Sequence, residues 1–342
     1  MTNFEAARWL HPVGGDDAQR PRLDVLLAPA EHARQVVDDV RSGLGRARAQ
    51  LPLEDLADSR TQALWAQLAG TEHFHPLRAT RSLVATNAAA IAEGAGARSL
   101  VVIGDADAQV VADLATACAT TGLTEVVSVG PVGPRLAAAC TSIAELLPGR
   151  TVRGVVADPT RQLPLVPFTR PGLLYVQGTT LARLDGTTRS RLLAGAARAM
   201  TGDDHLLVGF DLTTDRSQAL SAFDDAEGLH AERARNALGV LARELAAEVD
   251  PAGWEPTIGW DDRHRAIELG LRARTSQRIA IGPLGLDRSF DAGEVIELER
   301  NATFRPSGIS VVLGLAELDV RGWWGQDHDY ALVLASPSLR CR

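Results

Sequence analysis

Near the middle of the chain an apolar run leads into Ile103 to Gln109, "IGDADAQ", where a nucleotide-type cofactor is normally met by a glycine-rich turn. Gly104 supplies the first glycine, but the second position of a Gly-x-Gly turn is Ala106, whose methyl narrows the approach of backbone to ligand. Arg183 has two readings: a guanidinium that grips a substrate carboxylate through paired hydrogen bonds, or a surface arginine on a loop. His73 and His75 make an H-x-H pair beside Glu72, yet no further His or Cys cluster completes a tetrahedral set, so no metal is expected. The chain contains no lysine, which excludes an internal aldimine with pyridoxal phosphate and a P-loop lysine. Cys118, Cys140 and Cys341 are widely spaced, and the first two sit in Ala-rich stretches where a thiol packs as a small apolar group. With no nucleophile elbow either, no catalytic residue is assigned.

The elements that must position these residues alternate. "SLVVIG", "EVVSVG", "VRGVVAD", "LLYVQG" and "DHLLVGFD" read as buried strands, and helix-length segments such as Ala108 to Thr121 and Pro134 to Leu147 separate most of them. That alternation predicts a doubly wound α/β sheet. Ahead of it, helical spacing of Val36, Val37, Val40 and Leu44 predicts an amphipathic helix over Glu31 to Arg48, with further helices at Arg60 to Leu68 and Leu77 to Ala92. Little regular structure is expected over residues 1 to about 30. After Asp211 a long helix at Leu229 to Val249 precedes antiparallel strands at Ala266 to Arg274, Arg278 to Leu286 and Glu294 to Asn301. A last helix near Ser307 to Leu315 and strands at Leu318 to Trp324 and Asp329 to Ala335 could return to the main sheet. Four regions are expected: an N-terminal segment and helical module (1–95), a Rossmann-like core (96–212), an inserted α+β domain (213–305) and the C-terminal return (306–342).

At 342 residues and 45% hydrophobic the chain can bury a large core. Its net charge of −8 argues against a nucleic-acid partner, which needs a basic face. No apolar run of 18 residues and no signal-type segment is present, so a soluble cytoplasmic protein without membrane association is expected.

The strings "LLVGFDL" (Leu206–Leu212), "AFDDAEGL" (Ala222–Leu229), "RNALGVLARELAAEVDPAGWE" (Arg235–Glu255), "IELGLR" (Ile267–Arg272) and "FDAGEVIELERNATFRP" (Phe290–Pro306) carry a resemblance. "DVRSGLG" (Asp39–Gly45) and "EHFHPLR" (Glu72–Arg78) extend it more weakly. The chain resembles the histidine Nα-methyltransferases of ergothioneine biosynthesis and their relatives. The resemblance implies an S-adenosylmethionine (SAM) dependent methyltransferase fold, Rossmann-like, with a helical N-terminal module and an inserted α+β substrate domain. It also implies N-methylation of an amino acid or related amine, a reaction in which the protein chiefly aligns the reactants.

Mapped onto this family, Gly104, Ala106, Asp158 and Gly178 fall on cofactor positions, with Asp158 aimed at the adenine amino group. The basic residue after the first loop is Val110, and the ribose-binding acid at the end of the second strand is Gly130. On the acceptor side the matching positions are Phe74, Arg183, Phe223, Glu299 and Asn301. Two tyrosines of the N-terminal module become Ala57 and Phe74, a third becomes Phe223, and the imidazole-reading Glu-x-Ser motif becomes Glu299 and Asn301. Asn236 and Asp211 also match. Two residues keep an ordinary structural alternative: Asp158 as a cap on the following turn, and Glu299 as a solvent-facing residue that alternates, like Glu297, with Ile296 and Leu298. Two functions follow. One is a SAM-dependent N-methyltransferase with a degenerate cofactor site. The other is a catalytically inactive relative serving as scaffold or partner subunit beside an active homologue, or a pocket turned to other chemistry.

Overall fold

Short runs rich in Val, Leu and Ile become fully buried strands here, because a strand covered on both faces has no position for a polar residue. A computed structural model describes residues 21–71, 74–325 and 329–338. Glu72 and His73 of the H-x-H motif, and Cys341, lie outside the described residues. In chain order the elements begin with β1 (Arg22–Val25), α1 (Pro29–Leu44), α2 (Ser59–Gly70), α3 (His75–Ala95), β2 (Ser99–Ile103), α4 (Ala108–Cys118), β3 (Glu125–Gly130) and α5 (Gly133–Leu146). They continue with β4 (Thr151–Val156), α6 (Pro159–Gln162), β5 (Gly172–Val176), α7 (Gly178–Arg183), α8 (Gly186–Ala199), β6 (His205–Asp211), α9 (Arg216–Ser221) and α10 (Leu229–Leu245). The last are β7 (Ala247–Glu248), β8 (Trp254–Asp261), β9 (Ala266–Ala273), β10 (Gln277–Ile281), β11 (Leu286–Phe290), β12 (Val295–Ala302), α11 (Pro306–Leu315), β13 (Leu318–Trp324) and β14 (Tyr330–Pro337).

The chain divides into two compact units. One holds Pro29–His75 and Asp215–Ala302; the other holds Pro76–Thr214, the stretch from Thr303 onward and the segment ending at Ala28. The second unit carries an eight-stranded sheet in the order β1-β4-β3-β2-β5-β6-β14-β13. Its first six strands are parallel, while β14 pairs antiparallel with β6 and with β13. The strand order reverses between β2 and β5, the position where a doubly wound sheet opens a crevice for ligand. This is the Rossmann-like α/β core that the alternation predicts, and the C-terminal strands do return to it. Leu100, Val102, Leu114, Leu173, Tyr175, Leu207 and Leu332 belong to its main apolar cluster.

The first unit is α+β. Helix α1 turns Val36, Val40 and Leu44 into one core, as their spacing of four requires, and α10 adds Ala234, Leu238 and Leu241 to it. Two antiparallel three-stranded sheets complete it, in the orders β11-β10-β7 and β12-β9-β8.

Several details differ from the sequence-based expectation. Residues 22–25 are not irregular: β1 extends the parallel sheet alongside β4, Leu23 facing Gly154 across the pair. The strand expected over Arg278 to Leu286 breaks at a short 3₁₀ turn, Gly282–Leu284, where the chain reverses and returns antiparallel as β11. The long helix stops at Leu245, where Ala246 takes φ +52°. Strand β8 has no counterpart in the expectation, because Pro256 and Gly259 interrupt its pattern. No helix among the described residues is long and apolar enough to cross a membrane.

Candidate functional site

The carboxyl end of β2 in the sheet unit holds the first candidate residues. Gly104 adopts φ +74°, a left-handed conformation that penalises any side chain. A Cβ there would lie 2.8 Å from Thr180 Cγ2, and the Thr180 hydroxyl donates to the Asp105 carbonyl at 2.8 Å. The next residue, Ala106, is half-buried against the apolar cluster, and Val110 is enclosed within α4. Asp107 caps α4 by accepting from the Val110 amide, and its two oxygens take two hydrogen bonds from Arg81. That carboxylate raises the Arg81 pKa above its ordinary value. The Asp107 amide in turn donates to Gln177 Oε1 at 2.8 Å. The loop is thus tied to its own chain through Asp105 and Asp107, while Asp105 and Gln109 stay exposed.

Gly178 opens α7. A Cβ on it would strike the Tyr330 hydroxyl and the backbone of Gly209, so this glycine is demanded by the packing of neighbouring strands. Arg183 ends α7 as a buried side chain, 6% exposed, with its guanidinium 3.9 Å from the Asp105 carboxylate. It is not the surface arginine of the ordinary alternative. Asp158 lies past β4, and its Oδ1 accepts from the amide and the hydroxyl of Thr160, capping α6. Gly130, the last residue of β3, offers no carboxylate at all.

The second group lies in the α+β unit, and here the expected acceptor residues do come together. Phe74 and Phe223 are buried edge to face, with centroids 5.7 Å apart, and both rings pack on His230. Glu299 and Asn301 are buried on β12, where Asn301 Nδ2 donates to Glu299 Oε1 at 2.7 Å. The other oxygen, Oε2, accepts from Arg233 at 2.8 Å; the two side chains are only 1% and 3% exposed. Arg233 also donates to His230 Nδ1 at 3.0 Å, and its guanidinium lies 4.0 Å from the centre of the Trp65 ring. Because an arginine can only donate, Nδ1 is the accepting nitrogen and the ring proton sits on Nε2. Asp225 fixes the helix carrying both residues by accepting from the amides of Leu229 and His230.

Glu299 is therefore not solvent-facing. The alternation that suggested so is broken by a register shift between Glu297 and Glu299, which leaves Ile296 through Glu299 all buried. Glu297 goes to a different network, in which Arg48 and Arg300 each bridge Glu268 and Glu297. That network borders a surface cleft also lined by Thr257, Gly259 and Gly270, which none of the candidate residues reaches. Asn236 Nδ2 donates to Asp58 Oδ1 at 2.7 Å, and Asp211 Oδ1 accepts from the Thr213 amide at 2.9 Å.

Sequence reasoning missed Arg233, His230 and Trp65. The signal was present in α10: His230, Arg233, Ala234, Ala237 and Leu241 share one buried stripe, and an arginine on such a stripe must find a partner in the interior.

The family described as histidine-specific, SAM-dependent methyltransferase matches residues 36–337. The chain belongs to this family. It is 30% identical over 311 residues to the histidine N-alpha-methyltransferase of Mycolicibacterium smegmatis (strain ATCC 700084 / mc(2)155), covering 90% of this chain and 97% of that protein. It is likewise 30% identical over 300 residues to the histidine N-alpha-methyltransferase of Mycobacterium tuberculosis (strain CDC 1551 / Oshkosh), covering 87% and 94%. Among solved structures, the PH0226 protein from Pyrococcus horikoshii OT3 aligns over 75% of this chain and 91% of its own, at 11% identity and a TM-score of 0.42.

Family membership implies SAM as cofactor. The end of β3 has no oxygen pair for the ribose hydroxyls, Asp158 is engaged by its own helix, and Asp107 holds Arg81. The two retained glycines meet Thr180, Tyr330 and Gly209 of the chain itself. Among the described residues no group of His, Cys, Asp and Glu is arranged to hold a metal.

Proposed function

We propose that this protein is a non-catalytic member of the methyltransferase family, which keeps the fold as a scaffold for a protein partner and does not N-methylate histidine. The observation that carries this reading is Asp158. It is the one acidic side chain left at the strand ends where the family reads the cofactor's nucleoside, and the Thr160 amide and hydroxyl take its Oδ1. With Gly130 in place of the ribose acid, the lost charge-assisted hydrogen bonds amount to a few kcal/mol, a hundredfold or more in affinity. The acceptor end supports the same conclusion, since both Glu299 oxygens are held by Arg233 and Asn301.

Calorimetric titration of SAM into the full chain tests this. The expected result is no saturable heat below about a millimolar, and an Asp158→Ala variant that loses only a helix cap, about 1 kcal/mol of stability. Micromolar SAM binding that weakens in Asp158→Ala overturns the reading.

One observation favours a second reading, SAM-dependent N-methylation of an amino acid or amine other than histidine. Gly104 keeps φ +74° at the end of β2, the conformation a cofactor loop needs. Labelled SAM with a panel of amino acids separates the two, because this reading requires a methylated product and the first forbids one.

A further inference from the structure

The cluster around Arg233 has the form of a receptor already holding its ligand. A planar cation lies against an indole face, 4.0 Å from the ring centre, and donates to a carboxylate at 2.8 Å and to an imidazole nitrogen at 3.0 Å. Phe74 and Phe223 pack on that imidazole, and Asn301 fixes the second carboxylate oxygen. Carboxylate, flat aromatic face and one further acceptor are what recognition of an amidinium-type cation requires. In an ordinary core these positions would be apolar, since a buried ion pair rarely stabilises more than well-packed hydrophobic residues of the same volume.

Two polar atoms of the same cluster support a site over a mere packing solution. Arg233 Nε and His230 Nε2 are both enclosed without a hydrogen-bond partner. Each is a cost to folding that a cation evolved only to neutralise Glu299 leaves unexplained.

We propose that Glu299, Asn301, His230 and the Trp65 ring form a binding site for guanidinium-class cations, which Arg233 fills from within the chain as a built-in occupant. Arg233 thereby excludes any cationic acceptor from the Glu299 carboxylate. Cutting the head from Arg233 vacates the box and removes the cation that pairs with the buried Glu299 carboxylate at 2.8 Å. The proposal concerns the α+β unit alone and holds whether or not SAM binds the sheet unit, so its test is independent of the cofactor titration.

Arg233→Ala and the milder Arg233→Gln are compared with the wild type and with Arg233→Ala/Glu299→Gln in thermal unfolding. Guanidinium and imidazolium chloride are added at roughly 1–20 mM, a range that spans a millimolar dissociation constant, with sodium chloride matching ionic strength. Both single variants should gain about 2–4 °C in a saturable manner, a shift absent from the wild type and from the double variant. If Arg233→Ala folds only when guanidinium is present, and equal sodium chloride does not replace it, the proposal is equally supported. No saturable effect in either single variant, or the same effect in the double variant, overturns it.

Discussion

Burial, followed by the adjacent Arg233 charge, pushes the His230 pKa down to about 4, while Glu299 and Asp225 pull it the other way. In the unfolded chain the ring titrates near 6.5. Between these values the unfolded state binds more protons than the folded one. Stability from this residue is therefore complete above about pH 6.5 and declines as pH falls to about 4, by on the order of 3 kcal/mol. Urea unfolding across that range should show the decline in the wild type and a shallower one in His230→Gln, which cannot take up the proton. Parallel pH curves for the two proteins would remove His230 as the cause. The same residues mark the limit of what a sequence discloses. Phe74, Phe223, Glu299 and Asn301 were recognisable as a group by position, but the cation that joins them, Arg233, lies 66 positions from Glu299 and resembles any other arginine in the chain. Only the helical phase of α10 distinguishes it.

Among elements, α2 depends on a single carboxylate. Asp58 accepts from the Thr61 amide in a capping box, takes the Asn236 amide at 2.7 Å, and pairs with Arg243, so it ties the start of α2 to two turns of α10. Asp58→Ala removes the cap, worth about 1 kcal/mol, and strips a shared acceptor from two donors, for a total loss of about 2 kcal/mol. Asp58→Asn keeps a capping oxygen and should lose about half as much. A denaturant midpoint for Asp58→Ala equal to that of the wild type would show that α10 holds α2 by apolar contact alone. Elements with a strong period were legible in the sequence: α1 from its spacing of four, and β2, β3, β5 and β6 as buried runs. Those lacking a period were not. β1 is a four-residue edge strand that exists through its pairing with β4, and the break after β10 is set by Gly285 at φ +60°, a backbone state no hydropathy pattern encodes.

On the scale of the molecule, the described residues of the α+β unit come from two stretches of chain with all of Pro76–Thr214 between them. Its core requires both. Val36, Val40, Leu44, Leu51, Leu53 and Leu56 come from the first stretch, while Leu238, Leu241, Trp254, Leu271, Ile281 and Phe290 come from the second. Strand β12 is likewise flanked by backbone from the first stretch in a parallel bridge, since Leu51 donates to the Glu297 carbonyl and Glu297 donates to that of Ala49. Removing six large apolar side chains from one core forfeits about 2 kcal/mol each, on the order of 10 kcal/mol together, which equals the whole stability of a typical domain. A fragment of residues 215–302 should therefore show no cooperative urea transition and no dispersed amide spectrum, although every strand of both small sheets is present in it. A single chain joining 29–75 to 215–302 through a flexible linker should recover both, because closing the loop costs only a logarithm of its length. Cooperative unfolding of the 215–302 fragment by itself would mean that the sheets, and not the helix-to-sheet core, hold this unit together.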